Sequence, residues 1–301
     1  MKVGIPLLAP PIIIISFANA EDSRLPRKLI FGGHEVTPNR YPFLVSLFQR
    51  NYSSSELYFS CGGSLIAPSV VLTAAHCHDY IDVAIIGLHN LTVQDAPHET
   101  YNISSDQKVI HPLYDNITAE GDFLLLFLDK PSSFQPISLN KNPEIPKRKE
   151  QLTVIGWGMQ ETGEMSSVPE ETVVKTRSTR RCAIAYLGLT IGFEILSQVN
   201  DTIIPQSDVP RLEVTENSIC AEDGGKSAVC NGDSGGALII KGDGASTDLL
   251  VGVVSFGWLP CLLPILSSIS YVLPGVYGRI SSVHSWIDDK LEEASSNGIL
   301  F

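Results

Sequence analysis

Three short segments of the chain carry residue types that can do chemistry together. They are Leu72-Thr73-Ala74-Ala75-His76-Cys77, Gly121-Asp122-Phe123-Leu124-Leu125-Leu126 and Gly232-Asp233-Ser234-Gly235-Gly236. Ser234 is a poor nucleophile until a base removes its proton. An imidazole such as His76 can take that proton and return it. A carboxylate such as Asp122 can orient the ring. The segments differ in information content. A His beside a Cys is also found in a packed core or a metal site, and an Asp before an apolar strand is a common turn former. Glycines around Ser234 carry more, because they let backbone approach a substrate and adopt dihedrals closed to other residues.

The elements that must position these residues are short β runs. Phe43–Phe48, Val70–Thr73, Val83–Ile86, Phe123–Leu128, Leu152–Ile155, Ala237–Ile240 and Leu249–Phe256 are apolar, and many are bounded by Gly, Pro, Asn or Asp. A helical period emerges only at the end, where Val283, Trp286, Ile287 and Leu291 predict a helix over 282–294. The pattern predicts an all-β sandwich or barrel. Residues 131–150 read as a connection between two halves. Residues 183–219, with Pro205 and Pro210, read as a long irregular stretch.

The chain has 301 residues, 44% of them hydrophobic, with a formal charge of −12 and no block of like charges along the sequence. A nucleic-acid partner is not expected, because phosphate recognition needs clustered Lys and Arg. Residues 1–20 read as a secretory leader: Lys2, an apolar run and the small-x-small site Ala18-Asn19-Ala20. Six cysteines fit an oxidising compartment. Asn51, Asn90, Asn102, Asn116 and Asn200 stand in glycosylation sequons. Together these predict a secreted, extracellular protein that leaves the membrane once the leader is removed.

The order His, Asp, Ser in these local contexts resembles the trypsin/chymotrypsin-like serine proteases. Further motifs support the resemblance: Ile30-Phe31-Gly32-Gly33, Cys61-Gly62-Gly63-Ser64, Gly156-Trp157-Gly158, Val254-Ser255-Phe256-Gly257 and Pro274-Gly275-Val276-Tyr277. It covers nearly everything from Ile30 to the C-terminal helix. It implies two six-stranded antiparallel β-barrels, about 30–140 and about 150–281, followed by the helix. It implies a serine endopeptidase acting on protein or peptide substrates, without a cofactor, subject to protein inhibitors or a regulatory partner. The implied triad is His76, Asp122 and Ser234, with the N–H groups of Gly232 and Ser234 as the oxyanion hole.

Other implications follow residue by residue. Residues 21–29 would form an activation propeptide, and the freed amino group of Ile30 would pair with Asp233. The residue before that cut is Leu29 rather than the usual Arg or Lys, with Arg27 and Lys28 further back. Cys61 would pair with Cys77, Cys182 with Cys220 and Cys230 with Cys261. A further family bridge falls on Leu152 and Ile240, where apolar packing would replace it. The specificity pocket would have Ala228 and Val229 at its floor and Gly257 and Gly275 in its walls. An apolar floor favours cleavage after Phe, Tyr, Leu or Met, with an elastase-like taste for smaller side chains as the runner-up. No metal is expected: His78 lacks an accompanying ligand set, and Leu88 follows Gly87 where some relatives carry a calcium-binding Glu. The competing reading is a secreted decoy that keeps the fold without activity, to which Ala237, in place of the usual Pro, lends slight support. Two stretches, 183–219 and 261–274, and an insertion over 51–57 bear on access to the cleft.

Overall fold

A computed structural model of the chain describes residues 33–93, 97–159, 164–199, 212–222, 229, 232–257 and 273–296, side chains at 189 and 192–199 excepted. Among these residues, fifteen strands and two α-helices follow in chain order. They are β1 (His34–Glu35), β2 (Leu44–Arg50), β3 (Leu57–Ala67), β4 (Val70–Thr73), β5 (Val83–Ile86), β6 (Glu99–Asn102), β7 (Lys108–Ile110), β8 (Leu124–Phe127), β9 (Ser138–Leu139), β10 (Gln151–Gly156) and β11 (Glu170–Thr176). Then come α1 (Thr179–Val199), β12 (Ser218–Glu222), β13 (Ala237–Ile240), β14 (Leu249–Phe256), β15 (Gly275–Arg279) and α2 (Ile280–Ser296).

The second half closes. Its ladder runs β11-β10-β13-β14-β15-β12, and β12 pairs back onto β11, so six antiparallel strands form a barrel. The first half is a curled seven-stranded antiparallel sheet in the order β6-β5-β2-β3-β4-β8-β7. The all-β, two-barrel architecture stands, but here it differs from six closed strands: among the described residues no ladder joins β6 to β7. These two edge strands are consecutive in the chain. The 3-10 turn Ser105–Gln107 bridges them, with the Gln107 side chain accepting from Ser104 N at 2.9 Å. So the chain itself spans the seam that a ladder would otherwise occupy.

β4 and β8 are buried along their whole length, as continuous apolar runs must be when both faces are covered. One apolar core runs from β2–β4 and β8 through Ile155 and Trp157 to Val253 and the inner face of α2. Val283 and Ile287 are buried in it, and Trp286 and Leu291 pack against it, as the helical period predicts. The Trp157 ring lies 5.7 Å from Phe59 and its Nε1–H donates to His89 O at 3.3 Å, which fastens the second barrel to the first sheet. Leu152 and Ile240 share the second barrel's own core, so packing occupies the position of the absent bridge.

One expectation is corrected. The beginning of the 183–219 stretch is not irregular: α1 runs from Thr179 to Val199. Its hydrogen bonding starts at Ser178, whose carbonyl accepts from Cys182 N at 3.0 Å. The Cys182–Cys220 disulfide ties it to β12. The Tyr186 hydroxyl donates to Pro274 O at 2.8 Å, and its ring meets Phe256 edge-on at 5.2 Å. Ile184, Leu187 and Ile191 remain exposed. A helix with apolar residues on both its buried and exposed sides shows no clean period in sequence, which is why periodicity misses it. Residues 200–211 lie outside the described set.

Candidate active site

β4 ends at Thr73, and Ala74 stays extended (φ −84°, ψ 143°) before the 3-10 turn Ala75–Tyr80 carries His76 outward. The Cys61–Cys77 disulfide pins that turn to β3. Asp122 enters from the other side, after Gly121 at φ +65° and just before β8. It is almost wholly buried. Its Oδ1 accepts from His76 N at 2.9 Å, and its Oδ2 faces His76 Nδ1 at 2.8 Å. The Ser255 hydroxyl donates to the same Oδ2 at 2.5 Å.

Burial pushes the Asp122 carboxyl up. The hydrogen bond and charge of His76 and the hydrogen bond from Ser255 outweigh it, so the group is held below its ordinary value. An ionised carboxylate only accepts, so the proton in this pair belongs to His76 Nδ1. That leaves Nε2 as the ring's basic nitrogen. From sequence, Ser255 stands out only as part of the Val254-Ser255-Phe256-Gly257 motif. The available signal was a hydroxyl inside the otherwise apolar run of β14.

Ser234 stands in a turn just before β13, between Gly232 (φ +93°) and Gly235 (φ +75°). Two contacts fix this turn to the first sheet. Gly62 N donates to Ser234 O at 2.8 Å. At Gly235 a Cβ would lie 2.1 Å from Thr73 Oγ1 and 2.5 Å from Gly62 O, so only glycine permits this approach. Thr73 closes β4, three residues before His76. The turn bearing Ser234 is thus anchored to the strand that delivers His76. Asp233 is buried and its Oδ1 accepts from Gly158 N at 2.9 Å. A Cβ at Gly156 or Gly158 would each come within 2.2 Å of a carboxylate oxygen of Asp233. The two glycines flanking Trp157 therefore make the space that this carboxylate occupies.

The trypsin family profile matches residues 30–287. The chain belongs to the trypsin family. It is 29% identical to human Kallikrein-15 over 93% of this chain and 98% of that protein. It is 32% identical to Trypsin 5G1 of Aedes aegypti over 86% of this chain and 84% of that protein. Among solved structures it superposes on neuropsin, a serine protease of mouse brain, with a TM-score of 0.64 at 26% identity, over 86% of this chain and 98% of that one. The protein is a serine endopeptidase, hence a hydrolase.

In this trypsin-family chain, Val229, Gly257 and Gly275 come together. A Cβ at Gly257 would lie 2.9 Å from Val229 Cγ2 and 3.0 Å from Gly275 Cα, and a Cβ at Gly275 would lie 3.1 Å from Val229 Cγ2. The valine side chain therefore reaches both glycines. Cys61–Cys77 and Cys182–Cys220 are bonded as the family resemblance implies. Ile30, Ala228, Cys230, Cys261, Asn200 and residues 261–272 lie outside the described residues. Cys61, Cys77 and His76 cluster closely enough to suggest a metal site, but both sulfurs are spent in a disulfide, so no thiolate is available there. Asn102 and Asn116 are exposed, whereas Asn51 and Asn90 are half-buried, each turning its Oδ1 back onto the following backbone N–H groups.

Proposed function

We propose that this trypsin-family endopeptidase is a secreted zymogen whose chemistry is carried by Ser234, His76 and Asp122. The observation that carries the reading is the bond pattern of Asp122: one buried carboxylate accepts from both the backbone and the ring of His76. With Nδ1 so held, His76 Nε2 takes the Ser234 hydroxyl proton as Oγ adds to the scissile carbonyl. His76 then gives the proton to the departing amine, leaving an acyl-enzyme on Ser234. Water, deprotonated by the same nitrogen, releases the acid. The N–H groups of Gly232 and Ser234 stabilise the oxyanion, and one such donor contributes about 3–4 kcal/mol to lowering the barrier.

The reading extends to activation and specificity. A cut after Leu29 frees the Ile30 amino group to pair with buried Asp233. Self-activation follows if the enzyme prefers Leu, and active material beginning at Leu29 would rule it out. Asn102 and Asn116 are the sequons most open to glycan addition. The apolar pocket favours uncharged side chains at the cleaved bond. Because Val229 reaches both glycine walls, the second reading of a shallow pocket for smaller aliphatic side chains has a specific support.

The deciding experiment is labelling with a fluorophosphonate, which reacts only with an activated serine. Protein confirmed to begin at Ile30 is expected to label, and Ser234→Ala is expected not to. Absence of labelling on such material sinks the proposal and favours the decoy.

A further inference from the structure

Positive charge in this acidic protein is unevenly distributed in space. A cavity of about 590 Å³ opens where the turn before β10, the entry to α1 and the end of β15 meet. Lys147, Arg148, Arg177, Arg180, Arg181 and Arg279 line it, and no Asp or Glu does. Among the described residues, the ion pair in this group is Arg177 with Glu222 at 2.7 Å. Arg279 is held by carbonyls instead, donating to Glu216 O at 3.1 Å and Ile145 O at 3.2 Å. The side-chain cations of Lys147, Arg148, Arg180 and Arg181 form no ion pair among the described residues, while the Lys147 backbone N–H donates to the Glu150 carboxylate. Six cations around one cavity repel one another, and in a chain of net charge −12 that arrangement gains nothing for solubility. It makes physical sense when a multiply charged anion fills it.

We propose that this groove is a binding site for a linear sulfated polysaccharide, separate from the peptide-cleaving site. Three features choose this occupant. Five of the six cations are arginines, whose planar fork matches the oxygens of sulfate in paired hydrogen bonds. The volume exceeds that of one inorganic anion and suits several sugar units. The remaining polar lining includes the half-buried Ser178 and Thr179, whose hydroxyls suit sugar hydroxyls. No aromatic ring lines the groove, so it lacks the stacking platform of a single-strand nucleic-acid site.

The test is equilibrium binding of a size-defined heparin oligosaccharide to the whole mature protein at graded salt. Native protein is expected to bind it, more weakly as salt rises, and to ignore the same oligosaccharide after desulfation. Arg148→Glu/Arg180→Glu/Arg181→Glu is expected to weaken binding at least about tenfold, the effect of losing a single charge-assisted hydrogen bond. All three side chains are exposed, so the fold should tolerate the change. Single Arg→Gln variants provide the same readout should the triple variant misfold. Lys141→Glu/Lys290→Glu, which alters cations elsewhere, is expected to leave binding unchanged. Undetectable binding, equal loss in the Lys141/Lys290 control, or tighter binding of polyglutamate or an oligonucleotide of equal charge would each overturn the proposal.

Discussion

Ser255 and Asp122 are joined across the two halves of the molecule: the Ser255 hydroxyl on β14 donates at 2.5 Å to the Oδ2 that also faces His76. The first sheet supplies the carboxylate and imidazole, and the second barrel holds the carboxylate from behind. Ser255→Ala removes one of the interactions that keep Asp122 ionised and aimed. We expect kcat to fall about tenfold with little change in KM, the kinetic cost of one hydrogen bond to a charged group. Steady-state kinetics on a peptide amide substrate checks this. An unchanged kcat would show that His76 alone suffices to orient the carboxylate.

The same carboxylate makes a pH prediction. Asp122 is held below its ordinary value of 3.8, so in the folded state it stays ionised to lower pH than in the unfolded chain. Its stabilising contribution is therefore fully present above 3.8 and is lost as pH falls through the lower folded value. Thermal denaturation of the native protein and of Asp122→Asn between neutral and acid pH measures it. The gap in Tm is expected to be widest near neutrality and to narrow at the acid end. A constant gap contradicts the assignment.

Gly158 is expected to tolerate no side chain. A methyl there would meet the Asp233 carboxylate at 2.2 Å, beside the backbone N–H that this carboxylate accepts. Gly158→Ala should destabilise by about 1–3 kcal/mol through overpacking. It should also reduce fluorophosphonate labelling, because Asp233 precedes Ser234. Full labelling with a normal Tm would show that the loop relaxes freely.

Val229 is expected to limit pocket depth. Val229→Gly withdraws the methyl group that reaches Gly257 and Gly275. Preference for Phe and Tyr over Ala and Val at the cleaved bond should rise roughly 10-fold or more, the usual worth of a methylene or two in an apolar pocket. Profiling with paired peptide substrates reads this as a ratio of kcat/KM. An unchanged ratio would place the limit elsewhere.

The Cys182–Cys220 bond closes a loop with a sequence separation of 38. Cys182→Ala/Cys220→Ala should cost about 4 kcal/mol on the chain-entropy account. For a domain of this size that corresponds to a Tm lower by roughly 8–16 °C. Calorimetry tests it, and a loss near zero would mean that Tyr186 and its contact with Pro274 hold α1 unaided.

The strands were legible in the chain itself because burial in a sheet leaves a local trace. Val70–Thr73, Val83–Ile86, Ala237–Ile240 and Leu249–Phe256 are apolar runs with breakers nearby, and each is a strand with those bounds. The three chemical segments were legible too, since glycine around Ser234 reports a backbone requirement at that point. Sequence did not reveal α1, whose apolar residues lack one face and whose placement depends on a disulfide and on Tyr186. Nor did it reveal that Ser255 bonds Asp122, since the two are 133 positions apart and only barrel closure brings them together. The cationic groove is the clearest case. Lys147 and Arg148, Arg177 to Arg181, and Arg279 are separate in sequence, where no block of like charge appears. Charge acts through space, so the field around them depends on how strands and helix converge, and the tertiary structure alone decides it.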